Sequence, residues 1–287
     1  MSEGADDDLV TWANLWRQTS DVIGDQAAAR WMCEVASATS GAEFLLVLDE
    51  APTVRMVHHL DAMVARFRTG EPLQYVLGQW AFRHLDLAVD PRVLIPRSET
   101  ETLVEAALDR LRQIPDRRVV ADLGTGSGAI GLALADELPI GGTEVWLTDV
   151  SDEALDVARA NLAGIGRAAT NVRLAAGSWF DALPPDLWFD AVVSNPPYVA
   201  EGSTDLEAHV AEWEPALALF GGVDGLDHIR RIIAGAGEFL LPGGWLLLEI
   251  GSDQGAAALQ LLVDHGYTDL EILPDPAGHD RVAVGMI

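Results

Sequence analysis

Between Phe189 and Val199 the chain reads Phe-Asp-Ala-Val-Val-Ser-Asn-Pro-Pro-Tyr-Val, an apolar run stopped by a rigid polar corner. Ala191, Val192 and Val193 predict a buried strand, and Asn195, Pro196, Pro197 and Tyr198 end it. Two successive prolines fix φ at both positions and remove two N–H donors, so the carbonyls of Asn195 and Pro196 are held without competing partners nearby. The Asn195 carboxamide and the Pro196 carbonyl can together accept both hydrogens of a planar NH2 group, while the Tyr198 ring lies on its flat face. The same four residues also suit a plain proline-rich loop plugged by a tyrosine, so the other polar motifs must decide.

The second such motif is Gly124-Thr125-Gly126-Ser127-Gly128, placed between a predicted strand over Val119 to Leu123 and a predicted helix that carries Ala129, Ile130, Leu132, Ala133 and Leu134. Strand, glycine turn and helix bring backbone N–H groups close to a ligand. Gly124, Gly126 and Ala129 satisfy the dinucleotide pattern too, with Asp149 at the distance of a ribose-binding acid, so a nicotinamide enzyme is a rival reading. Two features weigh against it. Asp122 would present a negative charge to a pyrophosphate, yet suits the ammonium of an amino-acid-like ligand such as S-adenosylmethionine. A nicotinamide enzyme also has no need of the Asn-Pro-Pro-Tyr corner. Asp149 ends a strand over Val145 to Leu147, where it can accept from both ribose hydroxyls or simply cap the helix that Ser151 opens. Trp179, after a strand over Val172 to Ala175, can stack on an adenine or fill the core.

These residues need a scaffold, and the apolar periodicity predicts one. Beyond Tyr198 an acidic segment leads to Glu214-Pro215 and Gly221-Gly222, long enough to wall a substrate site; strands at Trp245 to Ile250, Thr268 to Leu273 and Arg281 to Val284 follow, with helices over Leu226 to Phe239 and Gly255 to Val263. Strands alternating with helices imply a mostly parallel sheet, closed by one antiparallel pair. Ser98 and Glu101 read as a capping box for a helix through Leu103, Val104, Ala107, Leu108 and Leu111. From Leu9 to about Arg68 the pattern is that of four short helices, the last beginning near Pro52. From Glu71 to Arg97, Leu73, Tyr75 and Leu77, then Phe82, Leu85, Leu87 and Val89, suggest two strands of a β-hairpin. The expected organisation is therefore a helical unit over 1–70, a hairpin linker over 71–97 and a catalytic domain over 98–287.

Composition narrows the class. With 287 residues and 49% hydrophobic content the chain can bury a large core. Neither a membrane span nor the basic start of a signal peptide is visible, so a soluble cytoplasmic protein is expected, without a membrane partner. One cysteine, Cys33, excludes an internal disulfide and a cysteine-rich zinc site, and the scattered histidines suggest no metal site. A net charge of −27 argues against holding a phosphate backbone and favours a basic macromolecular partner. All 18 basic residues are Arg, which excludes lysine-based catalysis.

Asn-Pro-Pro-Tyr after a strand resembles the signature of S-adenosylmethionine-dependent methyltransferases acting on amide or exocyclic amino nitrogens. Taken with Pro72 to Gly78, Leu94-Ile95-Pro96-Arg97 followed by Glu99-Thr100-Glu101, Trp179-Phe180, and Glu214-Pro215 through Gly225, in that order, the chain is similar to the bacterial peptide-chain release factor glutamine N5-methyltransferase family. The departure from the family pattern is Ser98, where proline is usual. The resemblance implies an α/β fold: a class I, Rossmann-like domain with a mostly parallel seven-stranded sheet and one antiparallel strand, preceded by a helical bundle and a hairpin. It assigns Gly124, Thr125, Gly126, Ser127, Gly128 and Asp149 to S-adenosylmethionine, Trp179 to the adenine, Asn195 to cofactor and substrate, and Pro196, Pro197 and Tyr198 to the glutamine of a Gly-Gly-Gln tip. A monomer acting on release factors is expected. The rivals are a ribosomal-protein glutamine methyltransferase, a nucleic-acid amino-methyltransferase and a non-catalytic cofactor-binding adaptor.

Overall fold

The computed structural model describes residues 10–203 and 208–287; the Leu9 end of the first apolar face and part of the acidic segment after Tyr198 lie outside the described residues. The chain forms two compact units that meet in sequence at Gly78 and Gln79.

The first unit is helical. Its elements are α1 (Trp12–Ile23), α2 (Gln26–Ser37), α3 (Gly41–Leu46), α4 (Val54–Phe67) and α5 (Leu73–Leu77). Thr11, Asp25 and Thr53 cap α1, α2 and α4 by accepting backbone N–H bonds. Trp12, Leu15, Met32, Phe44, Leu60, Met63 and Val76 close one core. Cys33 belongs to it, and burial pushes its thiol up to about 12, so it is a packing residue.

Residues 73–77 are helical where a strand was expected. Arg66 supports the outcome: its guanidinium donates to the Val76 carbonyl (3.2 Å), which the last turn leaves unpaired, and to the Tyr75 carbonyl (2.9 Å), which also accepts from the Gly78 N–H at 3.2 Å. Glu71 holds the guanidinium in place, and Gly78 ends the turn in the left-handed conformation. Tyr75 and Val76 are both buried, which alternation would forbid.

The second unit begins with a tighter hairpin, β1 (Gln79–Phe82) and β2 (Leu85–Ala88), followed by α6 (Thr100–Leu111). The expected capping box does not form. The Glu101 carboxylate accepts from the Arg83 backbone N–H at 3.1 Å in the hairpin turn, and the Ser98 hydroxyl donates to Glu99, so neither is free for the helix start. The chain continues through β3 (Arg118–Leu123), α7 (Ala129–Glu137), β4 (Thr143–Asp149), α8 (Asp152–Leu162), β5 (Val172–Ala176), β6 (Phe189–Ser194), α9 (Ala208–Trp213), α10 (Asp227–Ala236), β7 (Leu240–Glu249), α11 (Gly255–Asp264), β8 (Thr268–Pro274) and β9 (Asp280–Met286).

The seven strands lie in the order β5-β4-β3-β6-β7-β9-β8, and only β9 runs antiparallel to its neighbours. This is the mostly parallel sheet with one antiparallel strand that the resemblance implied, and β8 with β9 is the antiparallel closing pair that the periodicity suggested. All of β3 is buried, as a central parallel strand covered on both faces must be. β7 begins earlier than expected and includes Gly243 and Gly244, whose extra residues bulge out where the register jumps from Phe189↔Leu240 to Ala191↔Trp245.

Strand order places the chemistry. From β3 the chain proceeds to one side through β4 and β5, then returns to the other side of β3 with β6. Loops after β3 and β6 therefore diverge and leave a crevice at the carboxyl edge, the usual ligand site of open α/β sheets. Leu123 pairs with Ser194 across that edge, so the glycine turn and the Asn195 corner start side by side.

Candidate active site

A cavity of about 530 Å3 opens at this edge. Among the residues singled out from sequence, Gly124, Thr125, Gly126, Ser127, Asp149, Trp179, Asn195 and Pro197 line it. Asp122, Gly128, Pro196 and Tyr198 do not.

The glycine turn is pinned from β4. Thr125 N–H donates to the Thr148 carbonyl (2.9 Å), Gly126 N–H to Asp149 Oδ2 (2.9 Å) and Gly128 N–H to the Thr125 carbonyl (2.9 Å). Three of the five amides are thus used internally, which leaves a poor cradle for a pyrophosphate and weakens the dinucleotide alternative. Asn161 on α8 secures the far side: its Nδ2 donates to the Ser127 carbonyl at 2.8 Å and to the Ala88 carbonyl at 3.0 Å.

Asp122 corrects the expectation that it faces an ammonium group. It is fully buried beneath the turn, where Oδ2 accepts from the Thr125 hydroxyl (2.6 Å) and the Gly131 N–H (2.9 Å). Desolvation drives its carboxyl up to about 7, against those two bonds. Its observable work is to shape the turn from behind.

Asp149 sits at the cavity wall. Oδ2 holds Gly126 and Oδ1 accepts from the Ser151 N–H at 2.9 Å. A carboxylate has about four lone-pair positions, so about two remain for hydroxyl groups. Burial raises its pKa and the backbone donors oppose that rise. Ser151 caps α8 through the Ala154 N–H, so the helix-capping role belongs to Ser151 rather than to Asp149.

The residues present fit an S-adenosyl group. Trp179 adopts φ +53°, a conformation rare for an aromatic residue, and thereby lays its ring over the turn. A Cβ on Gly124 would lie 3.3 Å from that ring, so glycine leaves the space between turn and indole. His228 at the start of α10 lies 5.3 Å from the indole and also lines the cavity. An aromatic plane, a diol acceptor and a glycine wall suit a nucleoside.

On the other wall stands the Asn195 corner. Ser194 fastens the end of β6 by donating to the Leu123 carbonyl at 2.6 Å. Asn195 Nδ2 donates to Thr100 Oγ1 at 3.4 Å. The Pro196 carbonyl has no hydrogen-bond partner among the described residues. Tyr198 differs from expectation: its hydroxyl donates to Glu249 Oε1 at 3.2 Å, so the ring braces the corner from behind instead of forming a cavity face. Pro196 and Pro197 are buried.

The segment Glu214 to Gly225 completes the wall. Val199 N–H donates to the Leu219 carbonyl and Gly221 N–H to the Val199 carbonyl, both at 2.9 Å. A Cβ on Gly221 would lie 2.5 Å from the Pro197 carbonyl oxygen, so only glycine permits this approach. Buried Glu214 binds the Arg97 guanidinium and accepts from the Ile95 N–H at 3.1 Å. That pairing joins the Leu-Ile-Pro-Arg and Glu-Pro motifs, whose roles were not apparent from sequence. Thr100, His228 and Glu249 were likewise missed; only the strand ends and helix starts on which they stand offered a signal.

No group of three or more His, Cys, Asp or Glu side chains among the described residues is arranged to hold a metal ion, and no helix among them is long and apolar enough to cross a membrane.

Comparison with known proteins agrees with this geometry. Residues 100–213 match the model of the methyltransferase small domain, and residues 9–78 that of the PrmC N-terminal domain. The release factor glutamine methyltransferase of Geobacter sulfurreducens is 38% identical over 282 residues, covering 97% of this chain and 95% of its own. That of Vibrio cholerae is 44% identical over 236 residues, covering 82% and 79%. A methyltransferase structure from Pyrococcus furiosus shares the fold, with a TM-score of 0.50 and 20% identity over 77% of this chain and 96% of its own.

Proposed function

Because the chain belongs to the release factor glutamine methyltransferase family, we propose that it methylates the side-chain amide nitrogen of the glutamine in the Gly-Gly-Gln motif of peptide-chain release factors, using S-adenosylmethionine. The observation that carries this reading is the Asn195 carboxamide on the cavity wall, next to the Pro196 carbonyl, which lies just behind that wall and has no hydrogen-bond partner among the described residues. A planar NH2 group offers two donors, and two fixed acceptors are what its recognition requires.

S-adenosylmethionine, when bound, supplies a methyl group on a positively charged sulfur, already a strong electrophile. The protein's task is to orient a weak nucleophile. An amide nitrogen shares its lone pair with the carbonyl, so Asn195 Oδ1 and the Pro196 carbonyl take the two N–H bonds and hold the nitrogen's π face toward the donor. The same oxygens stabilise positive charge as it grows on nitrogen. No side-chain base is needed, because the methylated nitrogen becomes acidic and gives up its proton afterwards. Gly124 to Ser127, Asp149 and Trp179 are the residues we assign to the cofactor.

The helical unit, with no catalytic constellation of its own, is assigned to docking the release factor. A protein substrate also suits a chain of net charge −27, which repels nucleic acid. A role in translation places the protein in the cytoplasm, and we assign it a monomeric state. Mass spectrometry of purified release factor after incubation with enzyme and S-adenosylmethionine tests the reading: a gain of one methyl group on the Gly-Gly-Gln peptide is expected. Methylation of ribosomal RNA or of a ribosomal protein, with the release factor untouched, refutes it.

A further inference from the structure

The Asn195 corner is held at both ends, and the second hold comes from a residue to which the proposed reaction gives no part. At the near end Ser194 donates to the Leu123 carbonyl at 2.6 Å. At the far end stands Gln254, on the loop between β7 and α11, a polar side chain only 8% exposed. Its Oε1 accepts from the Gly251 N–H at 2.9 Å, while Nε2 donates to the Tyr198 carbonyl at 3.0 Å and to the Gly225 carbonyl at 3.3 Å. The partners are backbone groups of fixed role, one N–H and two carbonyls, so a single orientation of the carboxamide satisfies them all. Neither carbonyl has another hydrogen-bond partner among the described residues. Gln254 precedes α11, yet its side chain makes no capping bond to that helix, so a local role does not account for it.

We propose that Gln254 is a positioning residue for methyl transfer: it clasps the Asn195 corner to the wall formed by Glu214 to Gly225, and so fixes the face that receives the substrate. This deepens the reading given above and rests on it. The rings of Pro196 and Pro197 lock φ at both positions, so the corner has few soft torsions with which to absorb a displacement of the Tyr198 carbonyl. Such a displacement is passed back to the Pro196 carbonyl and to Asn195. The Gly225 carbonyl belongs to the wall, whose residues Pro215 to Ala218 line the cavity together with Asn195 and Pro197. The clasp is tight: Gly225 has φ +74°, and a Cβ there would lie 2.3 Å from the Tyr198 carbonyl oxygen and 2.8 Å from Gln254 Nε2. Asp149 and the glycine turn are fastened separately, and none of the Gln254 bonds reaches them.

Gln254→Met keeps the length and packing of the side chain and removes its hydrogen bonds. Gln254→Glu keeps the shape and the acceptor for Gly251, but whatever its protonation it leaves at least one of the two carbonyls without a donor. Gly225→Ala strains the same clasp from the wall side. Gln260→Ala, which removes an exposed bond to Asp264 within α11, is the control. The experiment measures kcat on intact release factor per S-adenosylhomocysteine-binding site, and the affinity for S-adenosylhomocysteine. Misplacing a reacting group by about 1 Å costs roughly 100-fold, so Q254M and Q254E are expected to lose about 10- to 100-fold in kcat while S-adenosylhomocysteine affinity stays within about three-fold. Q260A should match wild type. Because Q254M and G225A break one clasp, the double variant should fall within about three-fold of the worse single variant, well short of the product of the two losses.

A kcat within about three-fold of wild type in Q254M or Q254E overturns the inference. So does a loss of kcat matched by an equal loss of S-adenosylhomocysteine affinity, the result of a residue that merely stabilises the domain. A double variant whose loss is the full product of the single losses overturns it too. Counting only sites that bind S-adenosylhomocysteine removes unfolded protein from kcat, so a poorly folding Q254M still decides the matter, and G225A set against Q260A makes the same decision. Absence of transfer to release factor by the wild type is a different failure, because it removes the functional reading itself.

Discussion

Replacing Asp149 with asparagine should separate cofactor binding from methyl transfer. The wild-type carboxylate accepts two backbone N–H bonds at 2.9 Å, from Gly126 in the glycine turn and Ser151 at the start of α8, and keeps its remaining lone pairs for the cavity. Asparagine has one oxygen. Whichever way the amide turns, one of the two backbone donors meets an NH2 group and is left unpaired, at a cost of about 1–3 kcal/mol. The negative charge is also gone from the diol position. Because the turn adopts its wild-type shape only when that cost is met by binding, S-adenosylhomocysteine should bind roughly 5- to 150-fold more weakly. The Asn195 corner is built on β6 and its bonds do not involve Asp149. At saturating S-adenosylmethionine, kcat on release factor should therefore stay within about three-fold of wild type. Titration calorimetry with S-adenosylhomocysteine measures the first quantity. Affinity unchanged within experimental error, or a fall in saturated kcat as large as the loss of affinity, would refute the assignment of Asp149 to the cofactor.

Other parts of the site give equally definite expectations. Asn195→Ala should lower kcat by about 100-fold or more while S-adenosylhomocysteine affinity changes much less, since the lost contact strengthens as charge develops on nitrogen; near-normal turnover would remove the mechanism. Gly221→Ala puts a methyl group 2.5 Å from the Pro197 carbonyl oxygen, so a destabilisation of about 1–3 kcal/mol by urea unfolding and a loss of turnover are expected. A fully stable, active G221A enzyme would show that the corner does not depend on that approach. Folded Asp122 keeps its proton up to about 7 whereas the unfolded acid releases it near 3.8. The folded state therefore binds more protons between those values, and this group's contribution to stability falls as pH rises through that window. Asp122→Asn removes the dependence, so its melting temperature relative to wild type should increase between pH 5 and pH 8; a constant difference across that range would count against a buried, proton-holding Asp122.

Much of the scaffold was legible because it is encoded locally. Apolar runs of strand length, separated by helix-period segments, were enough for the parallel sheet and its antiparallel closure. Glycines following β3 and prolines following β6 marked the two ligand-facing loops, because both residue types restrict or extend the backbone regardless of surroundings. Where local signals competed, tertiary contacts won. Leu73, Tyr75 and Leu77 alternate like a strand, yet a short helix forms there, supported by Arg66 at two of its carbonyls. Ser98 and Glu101 have capping-box spacing, yet Glu101 is drawn to the Arg83 backbone in the hairpin turn.

The chain alone therefore determined which residues could bind an NH2 group and which could hold a nucleoside, since residue type and nearest-neighbour geometry carry that information. How those groups are oriented was decided only by the fold. Thr100 reaches Asn195 from 95 residues away, and Glu214 meets Arg97 across 117. Tyr198 is turned from the cavity by an acid at the end of the next strand. Such hydrogen bonds depend on strand order and register, which no spacing along the chain records.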